Sequence, residues 1–207
     1  MFVLSIDVGL IHLGLSFADV NDDGTLLEIF WVDLIDITTY THRKSGKIVS
    51  ESQECPLYHT RTISDWVDHF IHENKPFFEE ADVILVERQP PNGLTAVEQL
   101  IFSKFRAKTY LISPRNVHSY FNLTSLDYDQ RKVYSEKIAS RHIPDYLAEQ
   151  MTMYDRVHDI ADSVCILLYW CNKRKKAHDI DERRRRHFGI FHEDGLTTFE
   201  KLERFRY

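Results

Sequence analysis

Three of the most apolar stretches of the chain each hold carboxylates where a core has no place for an unpaired charge. They are Asp7 in FVLSIDVG, Glu87 in ADVILVERQ, and Asp159 with Asp162 in HDIADSVCILLYW. Ionised side chains do not sit in apolar surroundings unless something compensates them. The fold must therefore bury these segments while delivering their acids to one shared place or to several separate edges. If the four meet, one like-charge contact at about 4 Å costs on the order of 4 kcal/mol at an effective dielectric near 20. Divalent cations bound by hard oxygen ligands remove that cost and make the cluster a catalytic centre.

The pattern around the acids specifies a fold class. Residues 2–7, 13–20 and 26–34 read as three successive strands, with turns at Gly9 and at Asn21-Asp22-Asp23-Gly24, the latter a strong hairpin signal. Residues 38–60 are polar and read as an insertion or long loop. Ile63, Trp66, Val67, Phe70 and Ile71 then recur at helical spacing. Residues 81–86 form a short apolar run ending in Glu87, as in a strand buried on both faces. Pro90, Pro91, Asn92 and Gly93 break it, and a helix is expected over 94–107. Residues 109–113 read as another strand, stopped by Pro114.

A helix over 128–142 carries Lys132, Lys137 and Arg141 toward one side, 143–155 reads as irregular, and a final apolar helix runs from Val157 to about Asn172. Three antiparallel strands followed by strands alternating with helices predict an α/β fold, a mixed five-stranded sheet flanked by helices. The expected division is a single domain over 1–175 and a charged tail over 176–207.

A chain of 207 residues buries a substantial single core. Its apolar runs fall far short of the roughly 20 residues of a membrane span. The opening MFVLSIDVG lacks a basic region and holds Asp7 within its apolar part, unlike a secretory signal. Cys55, Cys165 and Cys171 show no metal-type spacing, and the last two lie in an apolar helix as reduced residues at or near the core. An intracellular protein is expected. The net charge of −6 argues against indiscriminate binding to nucleic acid, although positive charge is concentrated at 173–176 and in the four arginines 183–186.

Taken singly, each acid has an ordinary explanation. Asp7 precedes a loop and caps a turn, Glu87 pairs with Arg88, and Asp159 complements a helix dipole. Asp162 is harder to excuse. Its i,i+3 spacing from Asp159 puts both on one face near the start of the last helix. An acid on the first strand, an acid on the fourth and a D-x-x-D at the last helix can meet at one end of a central sheet. Phosphodiester cleavage calls for such a set. Two Mg²⁺ ions about 4 Å apart activate water on one side of the phosphorus and stabilise the leaving oxygen on the other.

These motifs carry a resemblance. SIDVGLIHLGLSFADV resembles the first strand pair of RuvC-type nucleases, VILVERQPPN the strand bearing their Glu, and HDIADSVCILLYW their closing D-x-x-D helix. The ERQP wording, ISPRNVHSYF and QRKVYSEKI are closer to the Holliday junction resolvases of large DNA viruses, the poxvirus and iridovirus type, over about residues 2–172. The resemblance implies an RNase H-like fold and a homodimer. It implies Mg²⁺-dependent paired nicking of four-way DNA junctions that leaves 5′-phosphate and 3′-hydroxyl ends. Two Mg²⁺ ions per site, replaceable by Mn²⁺, are implied, with Asp7, Glu87, Asp159 and Asp162 on the metal-ligand positions. Lys132 matches a basic position facing the scissile phosphate. For a viral protein the site of action is the host cytoplasm or nucleus. The stretch 38–60 looks longer than in compact bacterial members, and the arginine-rich tail has no counterpart.

Further candidates surround this set. His158 adjoins the D-x-x-D pair and suits proton transfer. Arg88 and Gln89 follow Glu87 and either contact a phosphate, brace that carboxylate or form structural pairs. Tyr110, Tyr120, Phe121, Tyr128 and Tyr134 interleave with Lys108, Arg115, Arg131, Lys132 and Lys137, a mixture suited to phosphate contacts and base stacking at branched DNA. Among these, Arg88, Arg115, Arg131, Lys132 and Lys137 are the DNA-binding candidates. Gly9 and Gly14 bracket a D-x-G-x-x-x-x-G pattern that also occurs in actin-like ATPases, whose duplicated domains 207 residues are short for; its ordinary reading is a tight turn needing positive φ. The alternatives to junction resolution are cleavage of flaps or RNA–DNA hybrids, an actin-like ATPase, and a DNA-binding module without catalysis.

Overall fold

The computed structural model describes residues 1–9, 11–39, 57, 60, 62–90 and 95–188, with side chains to residue 183. The expected insertion at 38–60 and the end of the tail lie almost wholly outside these residues. Strand β1 (Phe2–Val8), β2 (His12–Val20) and β3 (Leu26–Asp36) come first. Helices α1 (Ile63–Glu73) and α2 (Lys75–Glu80) follow, then β4 (Val83–Glu87), α3 (Thr95–Lys104) and β5 (Thr109–Ile112). The chain continues through α4 (Pro114–Tyr120), α5 (Tyr128–Ala139), α6 (Asp145–Met151) and α7 (Val157–Phe188).

The five strands form one mixed sheet in the order β3-β2-β1-β4-β5. β1, β2 and β3 pair antiparallel, while β4 lies parallel to β1 and β5 parallel to β4, as the sequence pattern predicts. The β2–β3 turn is closed by Asn21 and Gly24, with Gly24 N–H donating to the Asn21 carbonyl at 2.9 Å and Gly24 at φ +91°. A methyl group on Gly24 would lie 2.6 Å from the Cys171 carbonyl oxygen, so the hairpin tip tucks directly under α7.

Strand alternation divides the core into two layers. Leu4, Ile6, Val8, Ile84 and Val86 face one way and pack with Val67, Phe70, Phe78, Val97 and Ile101 from α1, α2 and α3. Val3, Ala18, Val20, Val83 and Leu85 face the other way, against Ile160, Val164, Leu167 and Trp170 of α7. Each fully buried Leu, Ile, Val or Phe contributes roughly 1.5–3 kcal/mol. Cys165 and Cys171 are free and buried in the second layer. Among the described residues, no helix is long and apolar enough to cross a membrane.

Several expected boundaries change. The last helix does not stop near Asn172; its backbone continues through the basic and acidic runs to Phe188. No Gly or Pro interrupts it before Gly189, and Lys, Arg, Glu and Ala sustain a helix without an apolar stripe. The stretch 143–155 contains α6, whose Leu147 and Met151 are buried one turn apart. α5 ends at Ala139, so Arg141 lies beyond it. Arg174 and Lys173 of the basic run fold back over the rings of Trp170 and Tyr169 on their own helix, and Arg174 Nε donates to the Asp22 carbonyl at 2.9 Å.

Candidate active site

The parallel pairing of β1 with β4 determines where the first two acids go. Its last paired residues are Ile6 and Val86, and Asp7 and Glu87 follow each of them. Alternation sends Val3, Ser5 and Asp7, and Val83, Leu85 and Glu87, to the α7 side of the sheet. Asp7 is 8 % exposed and Glu87 is half-buried. Both sit at the C-terminal edge of the parallel strands, with Glu87 paired to Ile112 on β5. This is the edge at which open α/β sheets present ligand sites.

Helix α7 delivers the other two acids to that edge. Its first turn rests on β2 at Gly14, which is the register partner of Asp7. A methyl group there would lie 1.9 Å from the Asp159 carbonyl oxygen and 2.8 Å from the Ile160 nitrogen. Gly14 is therefore a glycine for close approach of two backbones. Neither it nor Gly9 has positive φ, so the turn that Gly9 N–H closes on the His12 carbonyl at 3.1 Å forms without the expected left-handed glycine. Ser5 Oγ donates to the Ser163 carbonyl at 2.8 Å and ties β1 to α7 just beyond Asp162. Ser5, Ser16 and Ser163 are fully buried, and these small residues keep the helix close to the sheet.

The electrostatics show four acids sharing one space. Burial, then the charges of Glu87, Asp162 and Asp159, raise Asp7 well above the ordinary carboxylate range. Burial and Asp162 push Glu87 up to about 7, against the lowering effect of hydrogen bonds from Gln89 and Asp7. Asp7 and Glu87 thus each act on the other's carboxyl. Asp162 rises to about 6, chiefly through burial, against a hydrogen bond from Ser135 of α5. Asp159, 6 % exposed, is engaged by Arg156, whose Nε and Nη2 donate to its two oxygens at 2.6 and 3.2 Å.

The centre is a neighbourhood of acids, not a closed cage. Among the described residues, no three His, Cys, Asp or Glu side chains gather tightly enough to enclose a cation. Arg156 offsets the charge of Asp159, and burial together with mutual repulsion favours the protonated forms of Asp7, Glu87 and Asp162. Hard oxygen donors that repel one another when ionised are the donor set that suits Mg²⁺ or Mn²⁺.

Lys132 and His158 border the acids. The Lys132 ammonium lies 4.1 Å above the Tyr128 ring and acts electrostatically on both Asp162 and His158. Burial holds His158 below its usual range, against the pull of Asp159. Its Nε2 is 3.1 Å from Asp159 Oδ1 but without hydrogen-bond alignment.

The remaining candidates separate. Arg88 and Arg115 are exposed at the same sheet edge, following β4 and β5, and the Arg88 N–H donates to the Ile112 carbonyl at 2.8 Å. Arg131 is half-buried and donates to the Leu126 carbonyl at 3.2 Å, and Lys137 is exposed on α5. Lys108 lies at the opposite end of the sheet, before β5. Its ammonium donates to the carbonyls of Phe78 and Ala81, both at 2.7 Å, closing the end of α2. Tyr120 packs edge-on against Phe121 and Tyr169.

Three participants were not singled out from the sequence: Arg156, Ser135 and Glu98. Glu98 is 3 % exposed on α3 between the buried Val97 and Ile101, the same signal of a misplaced acid that marked the other four. Ser135 is an ordinary polar residue locally and only packing of α5 brings it to Asp162, whereas Arg156 meets Asp159 through i,i+3 spacing at the start of α7, a local signal.

No curated protein sequence matches the chain. A structure of fowlpox virus resolvase in complex with substrate Holliday junction DNA matches with a TM-score of 0.56 at 16% identity, over 83% of this chain and 97% of that one. The fowlpox virus Holliday junction resolvase determined separately matches with the same score and identity, over 83% and 98%. These likenesses establish the RNase H-like fold. The model of the family described as poxvirus A22 protein matches residues 1–174. From the sheet order to the acidic edge and this match, the chain is a member of the poxvirus A22 protein family.

Proposed function

We propose that this protein is a divalent-cation-dependent endonuclease that resolves four-way DNA junctions by paired nicks, acting as a homodimer. The observation that carries the reading is the convergence of Asp7, Glu87, Asp159 and Asp162 from β1, β4 and α7 on one sheet edge. The family match and the fold shared with a resolvase bound to Holliday junction DNA support it.

Asp7, Glu87, Asp159 and Asp162 would hold two Mg²⁺ ions. Such a pair supplies an activated water and stabilises the oxygen that leaves phosphorus, giving 5′-phosphate and 3′-hydroxyl ends. To serve as ligands the carboxyls must be ionised, which burial and their mutual repulsion oppose, and Asp159 must exchange Arg156 for the cation. Lys132, held over Tyr128 beside Asp162, offers a positive charge to the phosphate being cleaved. His158, kept neutral by burial, is suited to move a proton at Nε2. Arg88 and Arg115, exposed on the same edge, are placed to contact flanking phosphates, and such contacts make affinity fall steeply with salt.

The test compares four-way junction, flap and RNA–DNA hybrid substrates with and without Mg²⁺. Wild type should cut the junction in opposed strands only with the cation. Asp7→Asn, Glu87→Gln and Asp162→Asn should each lower the rate by about a thousandfold or more, as expected when an electrostatic element of the transition state is lost, with junction binding kept. Normal cleavage by these variants overturns the assignment, and preferred cutting of the flap or hybrid overturns the substrate.

A further inference from the structure

The ladder between β1 and β4 ends at Ile6 and Val86, just before the two strands present Asp7 and Glu87 side by side. Repulsion between ionised forms of these acids would splay the strand ends. The side chain of Gln89 closes that gap. Its Nε2 donates to the Val8 carbonyl at 2.8 Å and to Glu87 Oε2 at 2.7 Å, spending both amide hydrogens across the strand pair. One contact grips the residue after Asp7 on β1, and the other grips the Glu87 carboxylate.

Gln89 is itself held from behind. Its backbone N–H donates to Glu98 Oε2 in a short hydrogen bond, and Gln99 Nε2 donates to Glu98 Oε1 at 2.7 Å. Glu98 is 3 % exposed. A carboxylate buried to that extent is costly and is retained where its hydrogen bonds serve a purpose. The neutrality of Gln89 also matters. A Lys or Arg in its place would grip Glu87 equally well but would cancel the charge that attracts a cation.

We propose that Gln89 and Glu98 are positioning residues of the acidic centre. Gln89 fixes the Glu87 carboxylate relative to β1, and Glu98 fixes Gln89 from α3. The inference rests on the reading of that centre as a cation site. Groups that orient metal ligands in this way are worth about 10- to 100-fold in metal affinity.

The test uses the full chain with Gln89→Met, which keeps length and removes both donors. Glu98→Ala removes the acceptor, and Glu98→Gln keeps a carbonyl oxygen there. Mn²⁺ binding to the DNA-free protein is measured by calorimetry, beside the Mg²⁺ concentration that half-saturates junction cleavage. Gln89→Met should weaken Mn²⁺ binding by about 10-fold or more and raise the half-saturating Mg²⁺ in parallel. Junction affinity without Mg²⁺ should stay within about twofold, because the phosphate contacts that dominate it are untouched. Glu98→Ala should move both quantities in the same direction, and Glu98→Gln should recover most of the loss.

Unchanged Mn²⁺ binding in Gln89→Met, with an active wild type, overturns this inference alone. A wild type that neither binds Mn²⁺ nor cuts a junction overturns the proposed function and this inference together. If Gln89→Met lowers the unfolding temperature, Glu98→Ala decides the matter, because it leaves the Gln89 side chain in place. A folded Glu98→Ala protein that binds Mn²⁺ as tightly as wild type overturns the inference.

Discussion

Replacing Gly14 by Ala tests the geometry of the centre without altering any acid. The added methyl would sit 1.9 Å from the Asp159 carbonyl oxygen, 2.3 Å from its carbon and 2.8 Å from the Ile160 nitrogen. Ordinary contact begins near 3.4 Å, so the start of α7 must retreat by about 1.5 Å. All three obstructing atoms are backbone, and no side-chain rotation can relieve the clash. Forcing a methylene-sized group into a packed site costs about 1–3 kcal/mol. A displacement near 1 Å at a reacting centre costs about 100-fold in rate.

Gly14→Ala should therefore remain folded with a lowered unfolding temperature, while junction cleavage at saturating Mg²⁺ falls by about 100-fold or more. Binding of the junction without Mg²⁺ reports whether the surface is intact and should change little. Thermal unfolding and single-turnover cleavage, measured on the same preparation, provide the two readouts. A Gly14→Ala protein that cuts within about threefold of wild type would refute the claim that α7 must touch β2 at this point to place Asp159 and Asp162.

Two other outcomes follow from the electrostatics and the packing. Asp7, Glu87 and Asp162 are all raised on folding, with Glu87 at about 7 and Asp162 at about 6, so the native state holds more protons than the unfolded chain above the ordinary carboxylate range. Their contribution to stability is present at acid pH and is lost as pH rises through the folded values. Without divalent cation, the unfolding temperature of Glu87→Gln relative to wild type should therefore climb between about pH 5 and pH 8; a flat or falling difference contradicts the raised position of Glu87. Lys108→Met removes hydrogen bonds to the carbonyls closing α2, and should destabilise by about 1–3 kcal/mol in chemical denaturation. Its Mg²⁺-dependent cleavage should match wild type, and a selective loss of DNA binding would return Lys108 to the interface.

The strand pattern and its acids were legible because both depend on local chemistry. Alternation in β1, the Asn21–Gly24 turn and the apolar run of β4 imply a mixed sheet, and Asp7, Glu87, Asp159 and Asp162 stand out because buried apolar runs exclude unpaired charge. Boundaries failed where the apolar signal ended before the structure did. The extension of α7 has no apolar stripe and is held by helix propensity, the buried Ala177 and the contact of Arg174 with the Asp22 carbonyl, and α6 is short enough for two buried residues to carry it. Tyr128 and Lys132 read only as members of an interleaved aromatic and basic set, and the structure adds that the Lys132 ammonium lies over the Tyr128 ring.

What the sequence alone determined is which residues are out of place in a core: the acids, and the strand and helix periods that must bury the segments holding them. What only the tertiary structure decided is how those residues divide the work. Gly14 reads as a turn until the backbone of Asp159 is found against it; Glu98 and Gln89 become a brace only when α3 meets the end of β4; Ser135 reaches Asp162 only when α5 packs on α7. The physical reason is one of range. Charge and periodicity act between neighbours in the chain and can be read there, whereas close approach and hydrogen bonding across elements depend on which surfaces the sheet brings together.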